Sequence, residues 1–119
     1  FVNDTASSES YTRCRHYALP IFYTLASAMV TNDSGPAHFA APTGLKTFVL
    51  FGPETPRLYG ALNPNAEFFF KGLACSPCVS ASNHRKSPCT DNQCMKQIEV
   101  AEVHAALSAY LATTAPTLR

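Results

Sequence analysis

Thr47-Phe48-Val49-Leu50-Phe51 is a continuous apolar run of β-branched and aromatic residues, the composition of a parallel strand buried on both faces. Shorter runs at 28–32 and 67–70 read as strands on either side of it, with Phe68-Phe69-Phe70 as sheet core rather than a stacking surface. Between the strands the pattern changes period. Leu19-Pro20 opens a helix running to about Ser27, with Ile21, Phe22, Leu25 and Ala26 as its apolar positions. Residues 36–41 form a short helix, stopped by Pro42 and Gly44. Near the end, Val103, Leu107, Tyr110 and Leu111 recur at i, i+4, i+7 and i+8, giving a one-sided helix over 100–112 with Glu102 in its first turn. Phe1-Val2 reads as the end of a strand and the stretch from Asp4 to Arg15 as a polar loop. The stretch from Cys75 to Cys94, broken by Pro77 and Pro88, reads as a loop. Strand, short helix, strand, turn, strand and closing helix make an α/β pattern with a parallel sheet.

The turn after the first strand holds the densest chemistry. Ala28 to Asn32 leads into Asp33-Ser34-Gly35-Pro36-Ala37-His38, where Gly35 loosens the backbone and Pro36 suits a first helical position. Asp33 or Ser34 caps the helix, which leaves the amides of Gly35, Ala37 and His38 for an anion such as a phosphate. A second turn, Gly52-Pro53-Glu54-Thr55-Pro56, ends the central strand. In open α/β sheets ligands bind beyond the carboxyl ends of the strands, so the two turns are expected to line one site. Asp-Ser-Gly-Pro alone also fits an ordinary strand-to-helix connection. Neither a P-loop nor a Gly-x-Gly-x-x-Gly fingerprint is present.

Composition narrows the choice. The 119 residues suit one small domain, and 46% hydrophobic with 14% charged residues is a globular balance. A net charge of +1 supplies no basic field for nucleic acid or an anionic membrane, so any anion is held locally. No run reaches the roughly 20 apolar residues of a membrane helix. The start at Phe1-Val2-Asn3-Asp4 has neither Met nor a basic leader, which reads as a fragment or excised domain.

Five cysteines fit poorly with a fully paired secreted framework and favour a reducing cytoplasm. Cys75, Cys78, Cys89 and Cys94 cluster, while Cys14 stands apart. Three readings stay open for the cluster: a structural zinc site, a redox Cys-x-x-Cys, or loop thiols and local disulfides. His84, Arg85 and Lys86 in the same stretch read as solvated, with a phosphate contact as the lesser alternative. His16 and His104 have no evident partner.

With Asp33-Ser34-Gly35-Pro36-Ala37-His38-Phe39-Ala40 followed by Leu50-Phe51-Gly52-Pro53-Glu54-Thr55-Pro56, the chain resembles glycosyltransferase family 9, which includes the ADP-heptose:lipopolysaccharide heptosyltransferases. Cys75-Ser76-Pro77-Cys78, Cys89 and Cys94-Met95 are similar to a cysteine segment of many members. Two departures stand out: Pro42 shortens the helix, and Glu54 stands where Thr is common and disfavours a diphosphate contact there.

The resemblance implies a Rossmann-like parallel sheet forming part of the C-terminal half of a GT-B fold. It implies donor binding at Asp33, Ser34, Gly35, Pro36, His38, Gly52 and Pro53. The donor would be a nucleotide-diphosphate sugar such as ADP-heptose, and transfer would invert the anomeric centre without a metal. The partners implied are a glycan or glycolipid acceptor and an N-terminal half carrying the general base. Location would be cytoplasmic, at most peripheral to the inner face of a membrane. Without that other half, the 119 residues are expected to be inactive. The competing reading is a non-catalytic interaction module stabilised by zinc on Cys75, Cys78, Cys89 and Cys94.

Overall fold

A computed structural model describes residues 18–114. The readings for Phe1-Val2, for Asp4 to Arg15 and for Cys14 and His16 lie outside the described residues. Three strands, β1 (Ala28–Asn32), β2 (Lys46–Phe51) and β3 (Ala66–Phe70), form one parallel sheet in the order β1-β2-β3. The α/β class and parallel sheet expected from the sequence are therefore present. Register pairs Val30 with Phe48 and Val49 with Phe68.

Helix α1 covers residues 18–24 and ends earlier than its apolar pattern suggested. Leu19, Ile21, Phe22 and Leu25 are all exposed. Helix α2 (Gly35–Ala40) runs into a 3₁₀ turn, Ala41–Thr43, closed by Gly44 at φ 69°, the left-handed conformation glycine tolerates best. Helix α3 (Pro56–Tyr59) starts on Thr55, whose Oγ1 accepts the Arg57 amide at 3.3 Å. The stretch expected to be a loop carries a 3₁₀ turn, Ala81–Asn83, and helix α4 (Gln93–Lys96). Single helical turns of this length have no apolar period for a sequence to display. Helix α5 spans Val100–Thr114.

Strand β2 is the centre. Phe48, Val49 and Thr47 are fully buried and Phe51 nearly so, because the strand is covered on both faces. Strand alternation sends Val49 and Phe51 to one side, where they pack with Ala37 and Ala61 and, less deeply, Tyr59 and Phe70. Phe48 lies on the other side against Phe69 and Tyr110 of α5, with ring centroids 6.3 Å apart in each pair. Lys46, 4.9 Å from the centre of the Phe48 ring, pairs with Glu67 at 2.8 Å, and Lys71 pairs with Glu102 of α5 at 2.6 Å. Tyr23, Ala40 and Leu45 form a second cluster under α1.

Two expectations are adjusted. Phe69 is core, but Phe68 is 38% exposed at the sheet margin, touching Phe51 edge-on at 5.5 Å. Helix α5 buries no residue fully. Val103, Leu107 and Tyr110 are half-buried, while Leu111 is exposed. Among the described residues no helix is long and apolar enough to cross a membrane.

Candidate functional site

The first turn grows directly out of the sheet. The Asp33 amide donates to the Leu50 carbonyl at 3.0 Å, extending the β1–β2 ladder one residue past β1. Ser34 is the N-cap of α2 in extended backbone, but its side chain does not cap; its hydroxyl donates back to the Asn32 carbonyl at 3.3 Å. The Ala37 amide, expected to face an anion, donates instead to the Ser34 carbonyl at 3.1 Å. Pro at the start of α2 leaves this short turn closing on its own cap residue. A six-residue helix also carries little of the macrodipole that would favour an anion.

The second turn is held from the cysteine segment. The Pro53 carbonyl accepts the amides of Cys78 (2.9 Å) and Val79 (3.1 Å), and the Ser76 hydroxyl donates to the Gly52 carbonyl at 2.7 Å. A Cβ on Gly52 would lie 2.6 Å from both Cγ and Sδ of Met95. The segment thus arches over the exit of β2 and borders an open cavity of about 360 Å³. Its floor is Asn32 and Asp33 from β1, with Leu50, Gly52, Pro53 and Glu54 from β2 and its turn. Its roof is Val79, Arg85, Asn92 and Met95.

Asp33, Gly52 and Pro53 therefore share one cavity, as the two-turn argument expected. Ser34, Gly35, Pro36 and His38 do not line it, although His38 is near enough for its charge to act on Asp33. The Asp33 carboxyl is raised to about 6, chiefly by burial, then by a hydrogen bond and like charge from Glu54. His38 and Arg85 oppose that rise. Glu54 is buried at 8% exposure and carries Arg85 as its counter-ion, Nε to Oε1 3.7 Å. Two carboxyls and one guanidinium make a site able to hold a proton and meet either polar hydroxyls or an anion.

Sequence reasoning missed Glu54, Arg85, Asn92 and Met95 as site residues. Glu54 looked like a departure that weakened the site; Arg85, read as solvated, is 64% exposed and also borders the cavity. Nothing local marks a residue some thirty positions away as a roof; only the Cys94-Met95 resemblance pointed to that segment.

Among the described residues no group of three or more His, Cys, Asp or Glu side chains could hold a metal ion. Cys75, Cys78, Cys89 and Cys94 are free thiols, with Cys75 and Cys89 exposed and Cys94 buried. Their hydrogens are used locally: Cys89 donates to the Asp91 carbonyl at 3.3 Å and Cys94 to Asn92 Oδ1 at 3.1 Å. Cys78 Sγ accepts from the Ser87 hydroxyl at 3.2 Å. Burial first, then the charges of Cys78 and Cys89, push the Cys94 thiol up.

Residues 21–88 match the model of glycosyltransferase family 9 (heptosyltransferase). The chain is 35% identical over 75 residues to lipooligosaccharide heptosyltransferase 2 of Campylobacter jejuni serotype O:2, covering 62% of this chain and 22% of that protein. It is 33% identical over 75 residues, with the same shares covered, to lipooligosaccharide heptosyltransferase 2 of C. jejuni serotype O:6. The match thus spans about a fifth of the length of these curated relatives. No solved structure matches. The family match contains both turns and reaches Arg85, so it coincides with most of the cavity, and the chain belongs to glycosyltransferase family 9.

Proposed function

We propose that this chain supplies the donor-binding wall of an inverting glycosyltransferase that moves a heptosyl or similar sugar from a nucleotide diphosphate to a lipopolysaccharide-type acceptor. The observation that carries the reading is the convergence of the family's two turns, Asp33 and Gly52–Pro53, on one cavity at the carboxyl ends of β1 and β2. On this reading the sheet is part of the C-terminal, Rossmann-like half of a GT-B fold. The acceptor and the general base belong to the other half.

The chemistry is a single displacement. The acceptor hydroxyl oxygen bonds to the anomeric carbon as the bond from that carbon to the diphosphate oxygen breaks. The hydroxyl proton passes to the base, and the nucleoside diphosphate leaves with the electron pair. Asp33, half-buried and fixed through the Asp33 amide to Leu50, offers its carboxyl to a donor sugar hydroxyl. Gly52 and Pro53 form the rim of the cavity at the end of β2, where this reading places the diphosphate. Asp33 and Gly52–Pro53 hold the donor in line for a transfer completed only with the acceptor side in place. The enzyme works in the cytoplasm, with peripheral membrane contact through its acceptor.

Backbone NMR of the full chain titrated with ADP tests the assignment. Amide shifts are expected at 32–35, 52, 54 and 79–85. Shifts absent from these positions, or centred elsewhere, overturn it.

A further inference from the structure

We propose that Arg85 is the donor-phosphate cation of this site and that Glu54 is its internal stand-in for the diphosphate, occupying the guanidinium until the donor arrives. The proposal rests on the donor-binding reading above and adds to it a residue and a competition.

Three observations carry it. First, the cavity contains two carboxyls, Asp33 and Glu54, and Arg85 is the one cation among its described lining residues. An anionic ligand placed against two carboxyls needs a cation, and a guanidinium is suited to bridging phosphate oxygens.

Second, Arg85 is placed rather than loose. Its amide donates to the Ser80 carbonyl at 3.0 Å, and the turn below it is locked by reciprocal bonds between Ser80 and Asn83. Asn83 also donates to the Cys78 carbonyl at 2.8 Å, and Cys78 is tied to Pro53. His84 and Arg85 are both held in the left-handed region, φ 54° and 58°, which non-glycine residues adopt only where their surroundings enforce it. The guanidinium carbon rests 5.5 Å from the centre of the Tyr59 ring.

Third, the Glu54 contact is a poor match for what Arg85 can make. At 3.7 Å it is an ion pair without a hydrogen bond, and the guanidinium makes no hydrogen bond among the described residues. Its side chain is 64% exposed while that of Glu54 is 10% exposed. A planar donor fork therefore faces open space from an acid that stays behind. When a diphosphate takes the guanidinium, Glu54 remains beside Asp33.

The test is isothermal titration of the full chain with ADP at low salt. Arg85→Ala is expected to weaken ADP binding by about tenfold or more, the loss of a charge-assisted contact. Arg85→Lys, which keeps a counter-ion for Glu54, should recover only part of it and should melt close to the unsubstituted chain. Glu54→Gln is expected to tighten ADP binding several-fold by releasing Arg85, and that gain should vanish in Glu54→Gln/Arg85→Ala. A purely structural Glu54 would leave affinity equal or weaker. Equal ADP affinity with and without Arg85, or tightening by Glu54→Gln that survives Arg85→Ala, overturns this inference while leaving donor binding standing. Failure of the unsubstituted chain to bind ADP overturns both.

Discussion

Gly52 is the residue through which the cysteine segment is locked to the sheet, and replacing it by Ala puts a number on that lock. The new Cβ would sit 2.6 Å from Met95 Cγ and Sδ, against an ordinary carbon contact of about 3.5–4.0 Å. Met95 must retreat by about 1 Å, and Cys94 Sγ, at 3.4 Å, by a few tenths. Met95 is flexible and borders an apolar cavity of about 300 Å³ between Leu50, Ile98 and Leu107, so it has somewhere to go. Overpacking costs about 1–3 kcal/mol, and the stiffer unfolded chain returns about 0.4–1 kcal/mol. The expected net loss is about 1–2 kcal/mol, a fall in Tm of roughly 4–8 °C per kcal/mol for a domain of this size. Urea unfolding followed by circular dichroism measures it. In a Met95→Ala background the clash partner is gone, so Gly52→Ala should cost close to nothing, a coupling of about 1–2 kcal/mol. A wild-type midpoint for Gly52→Ala, or an equal loss in both backgrounds, would refute the contact as described.

Asn63, buried beneath β2, donates to the Leu45 carbonyl (2.9 Å) and Thr47 Oγ1 (3.3 Å) and accepts the Asn65 amide (2.9 Å); Asn63→Ala should cost about 2–3 kcal/mol in the same unfolding assay. Because the Asp33 carboxyl is raised to about 6 in the fold, its contribution to stability is fully present below pH 3.8 and is lost as pH rises through about 6. Unfolding free energies across pH 4–7 should carry that downward slope, and Asp33→Asn should remove it. Treatment with a zinc chelator is expected to leave Tm unchanged, since no metal-holding group of three or more side chains forms among the described residues; a drop of several degrees would restore the zinc reading.

The strands were legible because their signal is local. Thr47 to Phe51 is apolar at every position, which only a two-sided burial explains, and the turn residues around Asp33 and Gly52 mark both strand ends. The cavity floor followed from the rule that parallel strands present their carboxyl ends to ligands. Its roof did not. Arg85 and Asn92 belong to a segment whose own pattern has no period and which donates hydrogen bonds to the Pro53 and Gly52 carbonyls. Charge was misread for the same reason. Glu54 looked hostile to an anion because Arg85, its counter-ion, is far away in sequence. Cap chemistry failed at shorter range: Ser34 has the N-cap position and backbone, yet its hydroxyl bonds back to Asn32, a choice between two nearby acceptors and donors that composition does not decide.

The graded exposure of the thiols has a practical consequence. Cys75 and Cys89 stand in solvent, whereas Cys94 is buried against Gly52 with its proton held by Asn92. Alkylation followed by peptide mapping should therefore label the first two at once and Cys94 only when the arch lifts from the sheet. The delay is a clock for that opening, and its ratio to the rate of an unprotected thiol gives the opening free energy of the element that carries Arg85. The chain's own cysteines can time the motion of the site's roof without any introduced probe.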